Sequence, residues 1–378
     1  MTGSSTGVRA SGYNPHPDWD APWAEVGLPP AGAPKPPKRL GYVAQEGVIA
    51  LSYSRLNTLY SCPRKFQLSE LMGRKSFSPT MHTAFGHAYG AGVQTFLQYA
   101  PPPFVEDGYY GAEEVLSIRR TYEAELLVAE QRAVVAAVAA WDMYQLDPEA
   151  TTASMAKKSI WEAIHAVRTF CAQEAPALLE EWELAYLPPT PQAPQGKPMI
   201  ELMFYIKAGR YSYQGHIDIV LRSRATGELC VFEIKTGSKP ASQADWANSS
   251  QTLGYNVVLQ ALGLTELTQP AYYVKYLCYD ASGRTMQIME FTKSPAERVE
   301  WIASILMDMA QMDMYAEHGI WPKRGGSCMD WFRPCEHFMT CDLSTASLAP
   351  PEHGSYESMG LDEVDLVLTL EQLLALQE

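Results

Sequence analysis

The sequence predicts an α/β protein, a mixed sheet flanked by helices. From Met199 the runs IELMFYIKAG, YSYQGHIDIVLRS and ELCVFEIKTG read as three strands, with turn signals at Gly209 and at Thr226 and Gly227. A helix over about 245–263 follows, then the strand-like runs AYYVKYLCYD and TMQIMEF, then a long helix over 295–318. Helix, strands, helix, strands, helix is the order of a sheet covered by helices. The chain has 378 residues, 47% of them hydrophobic, enough for a substantial core.

The elements before the sheet are mostly helical. Residues 1–45 are rich in Pro, Gly, Ser and Ala without periodicity and are expected to be a disordered tail, with Trp19 and Trp23 as possible surface anchors. In LSYSRLNTLYSCPRKF, Ser52 or Ser54 suits an N-cap, Leu56, Leu59 and Tyr60 recur at helical spacing, and Cys62 falls near the helix end ahead of Pro63. A second helix is expected over 85–99, where Gly86, Gly90 and Gly92 suggest the close approach of another backbone. Residues 112–146 and 151–186 read as long helices broken at PEATT, so 105–186 is expected to be a helical insertion closed by the linker LPPTPQAPQGKP. At the other end, 343–378 reads as an acidic linker followed by an amphipathic helix. Leu366, Leu370, Leu373 and Leu374 form its apolar stripe. Docking on its own domain is the first expectation for that helix; binding a partner protein is the second.

Charge and cysteine usage narrow the function. A formal charge of -14 argues against a protein that coats nucleic acid nonspecifically, yet a local group such as Arg55, Arg64, Lys65, Arg74 and Lys75 could still meet phosphates or simply form a solvated face. No run of about 18 apolar residues occurs, and Met1 is followed by a Ser/Gly/Pro-rich stretch, so no membrane association and a cytoplasmic location are expected. In that setting clustered cysteines favour metal over disulfides. Of seven cysteines, Cys171, Cys230 and Cys278 sit in apolar runs and read as small buried hydrophobes. Cys62 near the start and Cys328, Cys335 and Cys341 near the end could share one centre, which would fasten distant segments together. Thiolates suit either zinc or a 4Fe-4S cluster, and His337 is a conceivable alternative ligand.

Chemistry concentrates in the strands. Asp218 lies in GHIDIV, and Glu233 and Lys235 lie in FEIKTG, where i and i+2 project from the same face. The two carboxylates, with the Ile234 carbonyl, could hold magnesium or manganese, and Lys235 could orient or activate water and offset charge on phosphate. Gln251 and Tyr255 sit four apart on the next helix and share a face that could point to the same place.

The set GHID, EIK and Q-x-x-x-Y, in that order, resembles the PD-(D/E)XK nuclease superfamily in its RecB-like branch. With one early and three late cysteines it is similar to the iron-sulfur members: CRISPR-associated adaptation nucleases, AddB-type helicase-nuclease subunits and bacteriophage exonucleases. The resemblance spans about residues 50–342, outside the helical insertion. It implies a restriction-endonuclease-like core within 46–342, with its catalytic part at 199–318 and a cluster segment at 328–341. It further implies that Asp218 and Glu233 are metal ligands, Lys235 the catalytic lysine, and Gln251 and Tyr255 DNA-contacting or water-positioning residues. Cys62, Cys328, Cys335 and Cys341 would hold a 4Fe-4S cluster, with zinc as the alternative. The expected activity is a metal-dependent DNA exonuclease working at single-stranded ends in recombination, repair or replication, with a phage-encoded origin conceivable. The alternative is a noncatalytic DNA-end-binding or assembly protein. Its C-terminal helix would serve a helicase, recombinase or single-strand-binding partner. Two features depart from the pattern: six residues separate Cys328 from Cys335, and Gly90 occupies the position of a helix histidine that would add a metal ligand. His87 or Gln94 could substitute, and Glu201 could act as an outer ligand.

Overall fold

The computed structural model describes residues 42–43, 47–74, 80–104, 112–144, 146, 156–191, 193–237, 239–264, 272–330, 333–343, 358–359 and 361–376. Most of the expected tail, Trp19 and Trp23, the PEATT break, Lys75 and the linker over 344–357 fall outside these residues. Within the range 1–45, Tyr42–Val43 forms a short parallel pair with Ser358–Met359.

The main elements are β1 (Ile49–Leu51), α1 (Tyr53–Ser61), α2 (Met81–Tyr99), α3 (Ala112–Asp142), α4 (Ile160–Thr169), α5 (Ala175–Glu181), β2 (Trp182–Leu184), β3 (Ile200–Ala208), β4 (Tyr211–Ser223), β5 (Leu229–Gly237), α6 (Ser250–Ala261), β6 (Tyr272–Asp280), β7 (Thr285–Lys293), α7 (Pro295–His318), β8 (Leu366–Thr369) and α8 (Leu370–Leu374). They build one eight-stranded mixed sheet in the order β8-β3-β4-β5-β6-β7, with β1 and β2 also paired to β4. The β5–β6 pair is parallel, so the chain must cross over between them, and α6 makes that crossover.

Helices cover both faces. On one, α1, α6, α7 and α8 bury Leu56, Leu59, Val258, Trp301 and Leu373 against Phe204, Tyr213 and Val231 of the sheet. On the other, α2 lays Phe85 and Tyr89 against Tyr279 of β6, while Phe96 meets Phe170 from the insertion. Each such buried side chain contributes about 1.5–3 kcal/mol of apolar transfer energy. Helix starts obey local chemistry: Ser52, Thr80, Ser159 and Ser294 each accept from an N3 backbone N–H, and Ser294 with Glu297 completes a capping box.

The helical insertion differs from its expected form in its second half. Instead of one helix over 151–186, α4 gives way to a π turn at Phe170–Glu174, then α5, then strand β2, which pairs with β4. Pro176 explains the break, because it offers no N–H and crowds the preceding turn, and the widened π turn absorbs the misfit.

The end of the chain also departs from expectation. The amphipathic helix expected from Leu366 is a strand over its first four residues, parallel to β3, and only Leu370–Leu374 is helical. Leu366 and Leu368 point inward while Val367 and Thr369 point outward, a period of two that serves a sheet edge. Leu366, Leu368 and Leu373 lie in the main core with Leu370 and Leu374 packed against it, so the apolar stripe docks on its own domain, the first of the two expectations, rather than standing free for a helicase, recombinase or single-strand-binding partner. No described helix is long and apolar enough to cross a membrane.

Candidate active site

The site forms where two central strands part. The β4–β5 ladder runs from Arg222–Leu229 to Ile219–Phe232 and stops, while β5 continues against β6 as far as Gly237–Asp280. Asp218 is the first β4 residue past the ladder, and its Oδ2 accepts the Ile234 N–H at 3.0 Å. The carboxylate thus satisfies a backbone donor at the point where the strands separate. Glu233, 2% exposed, lies in the same opening, and Lys235 Nζ donates to its Oε1 at 2.6 Å.

The crossover brings in the next two residues. Because α6 begins after β5 ends, its first turns lie beside the exit of that strand. Lys235 Nζ donates to Gln251 Oε1 at 2.8 Å, and Gln251 Nε2 donates to the Tyr255 hydroxyl at 2.8 Å. Sequence spacing suggested that Asp218, Glu233, Lys235, Gln251 and Tyr255 face one place; the fold joins Glu233, Lys235, Gln251 and Tyr255 in one hydrogen-bonded chain, with Asp218 beside it on the Ile234 N–H. Gly215 of GHID has a steric role: a Cβ there would lie 3.0 Å from the Phe204 ring and 3.8 Å from that of Tyr255. Trp246 escaped sequence reading. Its ring stacks on Tyr276, and Lys235 Nζ lies 5.6 Å from its centroid. Only its place at the end of the short helix Gln243–Trp246 after β5 could have signalled it.

Helix α2 closes the site from the opposite side. A Cβ on Gly86 would meet Thr236 Oγ1 of β5 at 3.4 Å. Two turns on, Gln94 Nε2 donates to Glu201 Oε1 at 2.6 Å and to the Asp218 carbonyl at 3.5 Å. Gly90 lies between them on the same helical face, with nothing within 4 Å of the Cβ it lacks. His87 is turned elsewhere: its ring packs edge-on to Tyr144 at 5.6 Å, its Nδ1 is buried without a hydrogen bond, and burial holds it below the usual histidine range. Of the two suggested substitutes on this helix, Gln94 is the one that contacts the acidic residues.

Burial shapes the electrostatics. It pushes Asp218 well above the ordinary carboxylate range, reinforced by Glu233 and Glu201 and opposed by Lys235 and the Ile234 N–H. Burial also pushes Glu201 up to about 7, with the Gln94 hydrogen bond opposing and Glu233 reinforcing. For Lys235, burial alone would lower the ammonium, but Glu233 and Asp218 outweigh it and hold the group above its usual value. Oε2 of Glu233 and Oε2 of Glu201 are both buried without a hydrogen-bond partner. Oxygens in that condition suit a hard divalent cation, and magnesium or manganese fits the donor set of Asp218, Glu233 and the Ile234 carbonyl.

The four late and early cysteines come from segments held side by side. Ser327 Oγ donates to the Ser61 carbonyl at 2.6 Å, Arg64 Nε to the Cys341 carbonyl at 3.2 Å, and the Cys335 N–H to the Cys328 carbonyl at 2.8 Å. Cys62 is buried, and the Cys341 thiol, pushed up first by burial, also feels Cys62. His337 is committed to Ser69 Oγ at 2.9 Å. All seven cysteines are free thiols, and among the described residues no three His, Cys, Asp or Glu side chains stand arranged to hold a metal ion. Two of the cations that could meet phosphates or form a solvated face are engaged within the fold. Arg55 pairs with Glu70, while buried Arg64 donates to the Cys341 and Leu343 carbonyls.

A mixed sheet flanked by helices, with carboxylates and an ammonium gathered where central strands splay, is a restriction-endonuclease-like arrangement. Residues 50–342 match the PD-(D/E)XK nuclease superfamily, and the chain belongs to that superfamily. Membership implies a metal-dependent nuclease with DNA as substrate, and the superfamily usually employs magnesium or manganese. No curated protein sequence matches the chain.

Proposed function

We propose that the protein is a metal-dependent DNA exonuclease of the RecB-like branch, acting at single-stranded ends in recombination, repair or replication. The observation that carries this reading is the cluster of Asp218, Glu233, Lys235, Gln251 and Tyr255, with Glu233 and Tyr255 buried and one oxygen each of Glu233 and neighbouring Glu201 buried without a partner. Asp218, Glu233 and the Ile234 carbonyl would hold magnesium or manganese, which when bound supplies Lewis-acid polarisation of the phosphate and a lower pKa for bound water.

The chain's own groups do the rest. Lys235 is kept as an ammonium by Glu233 and Asp218, so it serves as a fixed positive charge for the phosphate rather than as a base. Gln251, bound on one side by Lys235 and on the other by Tyr255, fixes the Nζ position in advance. Trp246 covers Lys235 and limits its exchange with bulk water.

The four thiolates of Cys62, Cys328, Cys335 and Cys341 would hold a 4Fe-4S cluster, or zinc, as a clasp between the start and end of the domain rather than as a reactive centre. Anaerobic purification should give a protein with a broad sulfur-to-iron absorption band in the visible and stoichiometric iron by metal analysis. A colourless, zinc-loaded protein would replace the cluster by a zinc site.

Cleavage is tested with end-labelled single- and double-stranded DNA in magnesium or manganese, beside Lys235→Ala and Asp218→Ala. Each variant should lose about 100-fold or more in rate. Equal degradation by wild type and both variants would remove the catalytic assignment. DNA-end binding without cleavage by the wild type would favour the noncatalytic reading, which the open space at Gly90 supports.

A further inference from the structure

We propose that Glu201 is a third carboxylate of the site, holding the water shell of the divalent cation, with Gln94 as its positioning residue. The inference rests on the nuclease reading above and adds to it a residue outside the D, E-x-K and Q-x-x-x-Y pattern.

Backbone geometry gives the first argument. Glu201 has φ 46°, the left-handed region that a non-glycine residue rarely adopts, near the start of β3. The β3–β4 register passes from Ile200–Ile219 to Leu202–Ile217, so Glu201 stands opposite Asp218 at the one step where pairing lapses. A strained residue costs about 1–3 kcal/mol and persists where its surroundings over-determine it. Here the surroundings are Gln94, itself only 8% exposed, which fixes Oε1 and leaves Oε2 buried and without a partner.

Charge balance gives the second. Asp218 lies among Glu201, Glu233 and one ammonium, Lys235; fully ionised, three negative charges and one positive leave an excess of two, which one divalent cation matches. Buried charge of that size requires compensation. Because one Glu201 oxygen is already committed to Gln94, and no three such side chains among the described residues stand arranged to grip an ion directly, Glu201 is assigned the cation's water. Carboxylates in that outer position orient bound water and tune affinity about 10–100-fold.

The alternative explanation is a purely structural tie between α2 and β3. Calorimetric titration of manganese into the EDTA-treated full-length protein separates the two. Glu201→Gln keeps an acceptor for Gln94 and should fold, yet should bind manganese about tenfold more weakly. Excess manganese should restore its cleavage, whereas Asp218→Asn should lose binding and not be rescued. Should Glu201→Gln fail to fold, Gln94→Met is decisive instead. It removes the hydrogen bond at similar volume and should weaken manganese binding severalfold. Wild-type affinity in the folded variant, with binding lost in Asp218→Asn, overturns the Glu201 assignment and leaves the nuclease reading standing. No manganese binding by the wild type, or unchanged binding by Asp218→Asn, overturns both.

Discussion

Three carboxylates around one lysine make the site a place where protons and cations compete. Glu201 has a reference value of 4.5 and is pushed up to about 7 in the fold, and Asp218 rises in the same direction, chiefly through burial. A folded state that binds protons more tightly than the unfolded chain is favoured at low pH. That advantage is full below the reference value and is lost as pH rises through the folded one. In EDTA, therefore, the melting temperature should fall between about pH 4.5 and about pH 7, as carboxylates ionise without compensation. Magnesium or manganese should flatten that slope, since it offsets the same charge. A metal-free melting temperature that rises over this range would contradict the burial of these groups.

Among the elements, α2 shows how glycines close together in sequence can serve different ends. At Gly92 a Cβ would lie 2.4 Å from a Val167 methyl and 3.2 Å from the Ala133 carbonyl, so this glycine permits α3 and α4 to press on α2. The close approach read from the glycine-rich stretch is real at this position. Gly90, two residues earlier, has no neighbour within 4 Å of a Cβ. Gly92→Ala should cost about 1–3 kcal/mol through overpacking, whereas Gly90→Ala should gain up to about 1 kcal/mol from helix propensity. Urea denaturation of the two variants reads the contrast. Equal effects would mean that α2 is not clamped where Val167 and Ala133 indicate.

For the molecule as a whole, the last residues belong to the domain. β8 extends the sheet beyond β3, and Asp365 next to it accepts the Met203 N–H at 3.0 Å and pairs with Lys197. Removing 361–378 would expose the β3 edge and take Leu366, Leu368 and Leu373 out of the core, uncovering the residues they pack on. Such a truncation should lower the melting temperature sharply, and Leu368→Ala alone should cost about 2–5 kcal/mol. Unchanged stability after truncation would return this segment to the role of a partner-binding arm.

The sheet and its site were legible from sequence because their signals are local and periodic. Strand runs bounded by Gly209 and Gly227, a carboxylate and a lysine at i and i+2, and Gln251 and Tyr255 at i and i+4 each follow from backbone geometry over a few residues. Local pattern could not resolve the tail of the chain. DLVLTL carries both a helical leucine spacing and a strand alternation, and the open edge of β3 decides in favour of the strand. Local pattern offered Glu201 as an outer ligand without a reason, because the left-handed backbone and buried oxygen exist only where β3, β4 and Gln94 of α2 meet. The sequence by itself determined which groups were available for the chemistry. Tertiary structure decided which of them are desolvated together, because burial and charge proximity are properties of strands and helices far apart in the chain.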